Sequence, residues 1–240
     1  MLDVHRMADP LPMVRLFALL CIVLGLDAAA ESGKIEPRDM LPLPLLFGTL
    51  KTEVGRFVEF EVTSEGWRGK VRAALVAKTE TDKGPVYQLE THGQSPDILL
   101  VYWLKPREVG FNVERIALHM LGETGSLPFP ADLGTADPKL RGTSAVTRKA
   151  VPFQLGKQKG TGREESFTVD GKKAVVVRSD DIPLFGVVSV DFNHTQWRAT
   201  ATGTGAVPEL KSLPPHVPVP TDAAHPSGSR APRRSPARRW

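Results

Sequence analysis

Apolar and polar residues alternate with a period of two along most of residues 50–210. In the segment 57–63, FVEFEVT, one side of the chain carries Val58, Phe60 and Val62, and the other side carries the glutamates. A period of two places successive side chains on opposite faces of a β-sheet. The pattern therefore predicts strands that each bury one face.

One stretch departs from this alternation, because the segment 98–104, ILLVYWL, is apolar at every position. Such a run is typical of a central strand that is covered on both faces. Turn residues separate the strands, among them Asp170-Gly171 and the triplet 193–195, NHT. The fold class expected is mainly β: a curved antiparallel sheet of eight or nine strands, either a half-barrel or a small barrel. We interpret residues 122–150, which lack periodicity, as a long surface excursion.

The stretch DDIPLFGVVSVDF, residues 180–192, enters a strand through an unusual elbow. Pro183 cannot donate a ladder hydrogen bond, so it belongs at a strand entrance or edge. Gly186 permits a bulge or a sharp bend, and Phe185 stands between the two. We interpret this elbow as architectural, because it redirects the chain into the next hairpin.

With the later WRATATGTGA, the same stretch resembles a pattern in exported bacterial β-rich proteins of unknown function. The segments GRFVEFEVT, VYQLET and NVERIALHM follow in that family's order, so the resemblance covers most of residues 50–210. The family is distantly similar to the periplasmic lipoprotein-carrier superfamily. That resemblance implies an incomplete barrel with an apolar concave face. No stretch of this chain resembles the long helices that plug the barrel in carriers.

The N-terminal region has the three parts of a secretory signal peptide. Arg15 precedes an apolar run over residues 16–26, and small residues including Ala28 and Ala30 follow. The run is too short to span a bilayer, which takes about 20 residues. We therefore assign residues 1–30 to a signal peptide with an upstream extension, cleaved before Glu31. The alternative is a buried helix of the mature fold.

Cys21 is the only cysteine in the chain. It lies inside the apolar run and follows Leu20, whereas a lipoprotein acylation site requires a small residue there. We therefore expect Cys21 to be lost on cleavage, which leaves a mature protein without disulfide or thiolate chemistry.

The C-terminal region, residues 211–240, is rich in Pro, Ser, Ala and Arg and has few large apolar residues. Such a composition cannot offset the entropy of ordering, so we predict a disordered tail after an antiparallel β domain of residues 31–210. The tail carries Lys211 and five arginines against Asp222, whereas the domain is neutral. A neutral domain gives no reason to expect specific nucleic-acid binding. The tail is either a contact for polyanions or lipid, or a solvated extension.

Catalytic motifs are absent from the sequence: there is no Gly-x-Ser-x-Gly, no His-Glu-x-x-His and no Walker loop. The histidines His92, His119 and His194 are scattered among different segments, where a metal site requires three or four converging ligands. We interpret Asp180 and Asp181 as solvated residues at the end of a strand rather than as ligands of an ion. We expect no enzyme activity, no cofactor and no metal.

Two functions from different classes fit these observations. The first is a non-enzymatic binding module for a lipid-like, apolar or amphipathic ligand, either periplasmic or extracellular, without a transmembrane segment after processing. Four aromatic residues are candidates to line its concave face, with ordinary core packing as the alternative: Trp67, Tyr87, Trp103 and Trp197. The second is a structural or scaffold protein of the cell envelope. An open apolar cavity favours the first function, and a filled core favours the second.

We predict that the mature protein begins at Glu31 and carries no lipid anchor, because the small residues 28–30 form the cleavage site. Intact-mass and N-terminal peptide spectrometry of the exported protein checks this. An acylated Cys21, or a leader retained in the cytoplasm, would contradict it.

Overall fold

The computed structural model describes residues 40–93, 98–108, 110–120, 123–132 and 142–211. The predicted signal peptide, and the predicted tail except for Lys211, lie outside these residues. The described chain forms one short helix and eleven strands: α1 (Leu43–Phe47), β1 (Phe57–Ser64), β2 (Trp67–Thr81), β3 (Gly84–His92), β4 (Ile98–Pro106), β5 (Phe111–Met120), β6 (Glu123–Asp132), β7 (Thr143–Leu155), β8 (Gln158–Val169), β9 (Lys172–Arg178), β10 (Val187–Phe192) and β11 (Thr195–Gly203).

All eleven strands belong to one antiparallel sheet, in the order β6-β5-β4-β3-β2-β1-β11-β10-β9-β8-β7. Each neighbour in this order is also a neighbour in sequence, except where β1 pairs with β11. The sheet therefore consists of two meanders joined by a single ladder. Its edges, β6 and β7, do not pair with each other, so the sheet is not closed. The fold is mainly β as predicted, and of the two predicted forms the closed small barrel is not observed.

The prediction of eight or nine strands was too low, and the interpretation of residues 122–150 as a surface excursion was wrong. Both β6 and the first part of β7 lie in this segment. They are the two edge strands, where one side of the backbone needs no partner and proline is tolerated. The two prolines of β6 are thus compatible with an edge strand.

The turn chemistry predicted two hairpins correctly. Asp170 and Gly171 connect β8 to β9 with φ angles of 48° and 73°. Asn193 and His194 connect β10 to β11 with φ angles of 49° and 63°. Two successive residues with positive φ form the turn whose twist matches that of the flanking strands.

The sheet bends strongly, because β7 contacts β11 although three strands separate them in the sheet. In a flat sheet those two strands would lie ~19 Å apart at ~4.8 Å per interval. The main hydrophobic core lies on one face of this sheet and extends from Val113 on β5 to Leu155 on β7. We call this side the core face.

Residues 40–47, which we call the cover segment, lie across the core face. At one end the Tyr102 hydroxyl on β4 donates to the Met40 carbonyl at 3.3 Å. At the other end Phe47 contacts Phe167 on β8, with ring centroids 5.2 Å apart. A flat sheet would separate β4 and β8 by ~34 Å, but a segment that ends in one helical turn reaches only ~17 Å. The core face must therefore be concave around the cover segment.

The elbow, residues 179–186, also covers the core face. Its apolar side chains Ile182, Leu184 and Phe185 are at most 1 % exposed. The ring of Phe185 stacks on Phe60 of β1 at 6.5 Å. Gly186 has a φ of 63°, and a register shift follows it at the start of β10. The elbow does more than redirect the chain, since its side chains fill the core.

Backbone hydrogen bonds join the elbow to the chain that follows the cover segment. The Thr49 N–H donates to the Phe185 carbonyl at 2.8 Å, and the Lys51 N–H donates to the Leu184 carbonyl at 2.6 Å. The Lys51 ammonium group donates to the carbonyls of Asp180 and, at 2.9 Å, Ile182. The elbow and the cover segment thus form one continuous layer over the core face.

The opposite face of the sheet is covered in part by residues 204–211, which we call the strap. Ala206 packs with Ala74 and Val76 of β2, and its N–H donates to the Gly55 carbonyl at 3.0 Å. Further along, Leu210 packs against the cluster that contains Val101 of β4. All residues from Ile98 to Leu104 are buried, which confirms that β4 is covered on both faces.

We predict that Phe185→Ala lowers the free energy of unfolding by about 3–5 kcal/mol, because the ring fills the space between the elbow and β1. Urea denaturation of the purified protein measures the change. The control is Val207→Ala, since Val207 is 71 % exposed and its truncation should cost less than about 0.5 kcal/mol. A Phe185→Ala variant as stable as this control would show that the elbow is not part of the core.

Candidate functional site

The four aromatic residues predicted to line a ligand site do not share one face. Trp197 and Tyr87 belong to the main core, and the partly buried Trp67 packs against it. Trp103 lies in the small cluster on the opposite face, with Leu99 and Val101. The reason is the strand period: Tyr102 and Leu104 of β4 point to the core face, so Trp103 between them cannot.

Trp197 occupies the centre of the core face. It is opposite Val62 of β1 and Val190 of β10, and it is 1 % exposed. Its ring meets Phe60 edge-on, with centroids 5.7 Å apart. The indole Nε1–H is buried and has no hydrogen-bond partner among the described residues. A buried donor of this kind normally has an acceptor, and the described residues around Trp197 do not supply one.

A polar cluster borders the same face at β8 and β9. The carboxylate of Glu165 is 9 % exposed and lies between two arginines, 2.7 Å from Arg163 Nε and 3.3 Å from Arg178 Nη1. The Arg178 guanidinium also donates to the Thr49 hydroxyl just beyond the cover segment. With two cations and one anion, the cluster places a net positive charge at the rim of an apolar surface.

A neutral hydroxyl marks the other side of the core face. Burial raises the pKa of Tyr102 above its ordinary value, so the phenol stays protonated at physiological pH. It can therefore donate its proton to the Met40 carbonyl throughout that range. This bond anchors the start of the cover segment.

On the opposite face, Glu90 of β3 receives the strap. Its side chain is almost fully buried, since the residue is 1 % exposed. Its carboxylate accepts the backbone N–H groups of Glu209 (3.1 Å) and Leu210 (3.0 Å), and the amide of Gln88 (2.8 Å). The Gln88 amide also donates to the Leu210 carbonyl at 2.9 Å. Glu90 is thus the main polar attachment of the strap to the sheet.

His92 lies two residues beyond Glu90 on the same face of β3. Its Nε2 atom is 2.9 Å from Glu209 Oε1 of the strap. The two atoms are close but not aligned as a hydrogen bond, and the buried Nε2 has no hydrogen-bond partner among the described residues. One potential metal-ligand atom from each of Glu90, His92 and Glu209 lies within 4.8 Å of the other two. Three groups that can hold a metal ion therefore converge at this point.

Sequence reasoning missed this cluster. Glu90 and His92 in QLETH share one strand face, which a period of two could have indicated. Glu209 could not be found in this way, because it lies more than a hundred residues away, outside the periodic pattern. The three histidines lie on different elements, as expected, but His92 converges with two carboxylates that the sequence did not bring together with it. The exposed side chain of His194 is 3.5 Å from Glu65 on the surface.

The remaining candidate residues that the structure describes have ordinary positions. Ala28, Ala30 and Glu31 lie outside the described residues. His119 shares a hydrogen bond with the Thr124 hydroxyl at 2.6 Å. Asp181 accepts from the Ser179 hydroxyl at 3.4 Å inside the elbow and does not join an acidic cluster.

Comparison with known proteins adds little. Neither a protein-family model nor a curated protein matches the chain. Among solved structures, the chain is similar to one titled "Crystal structure of MucB", with 8 % sequence identity and a TM-score of 0.33 over 69 % of this chain and 58 % of that chain. The chain thus spans little more than half of the MucB chain, and a TM-score this low assigns no function. No helix among the described residues is long and apolar enough to cross a membrane.

We predict that Glu90→Gln lowers the free energy of unfolding by about 1.5–3 kcal/mol, since an amide loses the charge that strengthens the bonds from the strap. Denaturant titration with tryptophan fluorescence measures the loss. Glu53→Gln is the control, because it removes an exposed ion pair with Arg56 and should cost less than about 1 kcal/mol. Equal effects in both variants would mean that Glu90 does not hold the strap.

Proposed function

We propose that this chain is a non-enzymatic binding module of the cell envelope, which holds an apolar or amphipathic ligand on the core face of a half-barrel. The proposal places the protein in the periplasm or outside the cell, in line with the signal peptide predicted from the sequence. The ligand would be lipid-like, with an apolar chain and an oxygen-bearing head group.

The observation that carries this proposal is the unpartnered indole N–H of Trp197. Its surroundings are apolar, since Phe60 contacts the ring and Val62 and Val190 flank it. A carbonyl or carboxylate oxygen of a bound molecule would supply the missing acceptor, and the apolar chain of that molecule would replace side chains of the core. An amphipathic ligand satisfies both requirements.

In this proposal the cover segment moves to expose the core face. This segment contains one helical turn, far shorter than the ~12–15 residues that make an isolated helix even marginally stable in water. The packing of Leu45, Leu46 and Phe47 and the hydrogen bond from Tyr102 to Met40 keep it in place. An apolar ligand that buries the same surface of the sheet would offset part of the cost of displacing these side chains. The arginines beside Glu165 would then attract an anionic head group.

A second function, a structural or scaffold protein of the envelope, is favoured by a different observation. The core face is filled by the chain's own side chains, with Phe47, Phe60 and Phe185 at most 1 % exposed. The edge strands β6 and β7 leave a row of backbone groups to which a partner strand can add. In this case the orphan N–H of Trp197 would be a tolerated defect of the core.

We predict that the purified protein binds a long-chain fatty acid and that Trp197→Phe weakens this binding at least tenfold, because the ring remains and the hydrogen bond is lost. Quenching of tryptophan fluorescence by a nitroxide-labelled stearate measures the affinity. The matched control is Trp103→Phe, on the opposite face, which should leave the affinity unchanged.

Native mass spectrometry of protein isolated from its own cells provides an independent readout, and an added lipid mass is expected. A ligand-free mass together with unquenched tryptophans rejects the binding module and leaves the scaffold function. Equal binding by the wild type and Trp197→Phe would place the ligand elsewhere on the protein.

A further inference from the structure

We infer that Glu90, His92 and Glu209 form a binding site for a divalent transition-metal ion of the Zn²⁺ class, and that the ion clamps the strap to strand β3. This site lies on the face opposite Trp197 and does not depend on the proposed ligand. It departs from the expectation of no metal, which rested on the histidines alone and did not include the two carboxylates.

The donor set is that of a zinc site. An imidazole nitrogen and two carboxylate oxygens are common zinc ligands, and three protein donors leave a fourth position for water. A hard ion such as Ca²⁺ takes six to eight oxygen ligands, which this cluster with its imidazole does not offer. The chemistry therefore favours a borderline ion over calcium or magnesium.

His92 Nε2 and Glu209 Oε1 are at hydrogen-bond distance, 2.9 Å, but they are not aligned as a hydrogen bond. Ligands of one ion point their lone pairs at the ion, so neighbouring donor atoms lie close together but off each other's axis. In a tetrahedral zinc site, with bonds of ~2.0–2.2 Å, donor atoms are ~3.4 Å apart. The observed contact of 2.9 Å without alignment, and the overall spread of 4.8 Å, lie on either side of this value.

Charge gives a second reason for a cation. Two carboxylates share this cluster, and one of them belongs to Glu90, which is 1 % exposed. Arg72 of β2 is directly opposite His92, but its guanidinium lies 4.3 Å above the ring of Phe57 and forms no ion pair with either carboxylate in the described structure. Two carboxylates in close proximity repel each other unless a positive charge or hydrogen bonds compensate them, and the hydrogen bonds from the strap and Gln88 compensate Glu90 rather than the half-exposed Glu209.

Groups around the cluster already hold the ligands in place. The backbone N–H groups of Glu209 and Leu210 and the Gln88 amide orient the Glu90 carboxylate. These groups make four hydrogen bonds, because the Glu209 N–H contacts both carboxylate oxygens. Three of the four end on Oε1, so Oε2, with a single contact at 3.1 Å, is the oxygen more available to an ion. Such outer hydrogen bonds fix the orientation of metal ligands in known sites.

The test is a calorimetric titration of the metal-stripped full-length protein with ZnCl₂, with CaCl₂ as the comparison. The wild type should bind one Zn²⁺ that the variants His92→Asn and Glu209→Gln bind at least tenfold more weakly, and Ca²⁺ should not compete. Since the Glu209 side chain is 56 % exposed, Glu209→Gln leaves the fold intact even if His92→Asn does not. The matched control is the double variant His194→Asn with Glu65→Gln, which removes an exposed His–Glu pair and should bind like the wild type.

Two further readouts connect the ion to the strap. At a hundredfold excess of Zn²⁺ over its dissociation constant, the melting temperature of the wild type should rise by about 5 °C or more, and that of Glu209→Gln should not. Tryptic cleavage after Lys211, the last residue of the strap, should slow with Zn²⁺ in the wild type only. Zinc binding that is absent, or equal in the wild type and Glu209→Gln, would overturn the proposal.

Discussion

The ladder between β1 and β11 holds the two halves of this protein together. It pairs residues from Phe57↔Gly203 to Thr63↔Gln196 and is the only link between the two meanders in the described sheet. Just beyond it, the hydroxyls of Ser64 and Thr195 are 3.0 Å apart and buried, although 131 residues separate them in sequence. Without this ladder, β1 and β11 would each be an exposed edge of a separate meander.

The position of this ladder also explains how both faces are covered. The chain before β1 and the chain after β11 both leave the sheet near its centre. The first folds over the core face as the cover segment, and the second folds over the opposite face as the strap. An apolar strand such as β4 requires both, since Tyr102 points to one face and Trp103 to the other. Two short segments thus cover the two faces of the sheet, which packed helices cover in many sheet proteins.

Local patterns were sufficient to predict the strands and several turns, because alternation and turn residues act over a few positions. Asp170-Gly171 specifies its hairpin whatever surrounds it. The edge strands were missed because an edge tolerates the prolines that a central strand excludes. The burial of Phe185 and the contact of His92 with Glu209 depend on distant parts of the chain, which no local pattern reports.

The central ladder has a consequence for the order in which the protein can be built. A chain made from its N-terminus completes the first meander early, and β1 then stays an open edge until β11 has been synthesised. During that interval Phe60 lacks both Trp197 and Phe185, and the backbone of β1 is free to pair with a strand of another molecule. Contacts this distant in sequence also form slowly. The newly made chain is therefore most vulnerable to aggregation while β1 has not yet paired with β11.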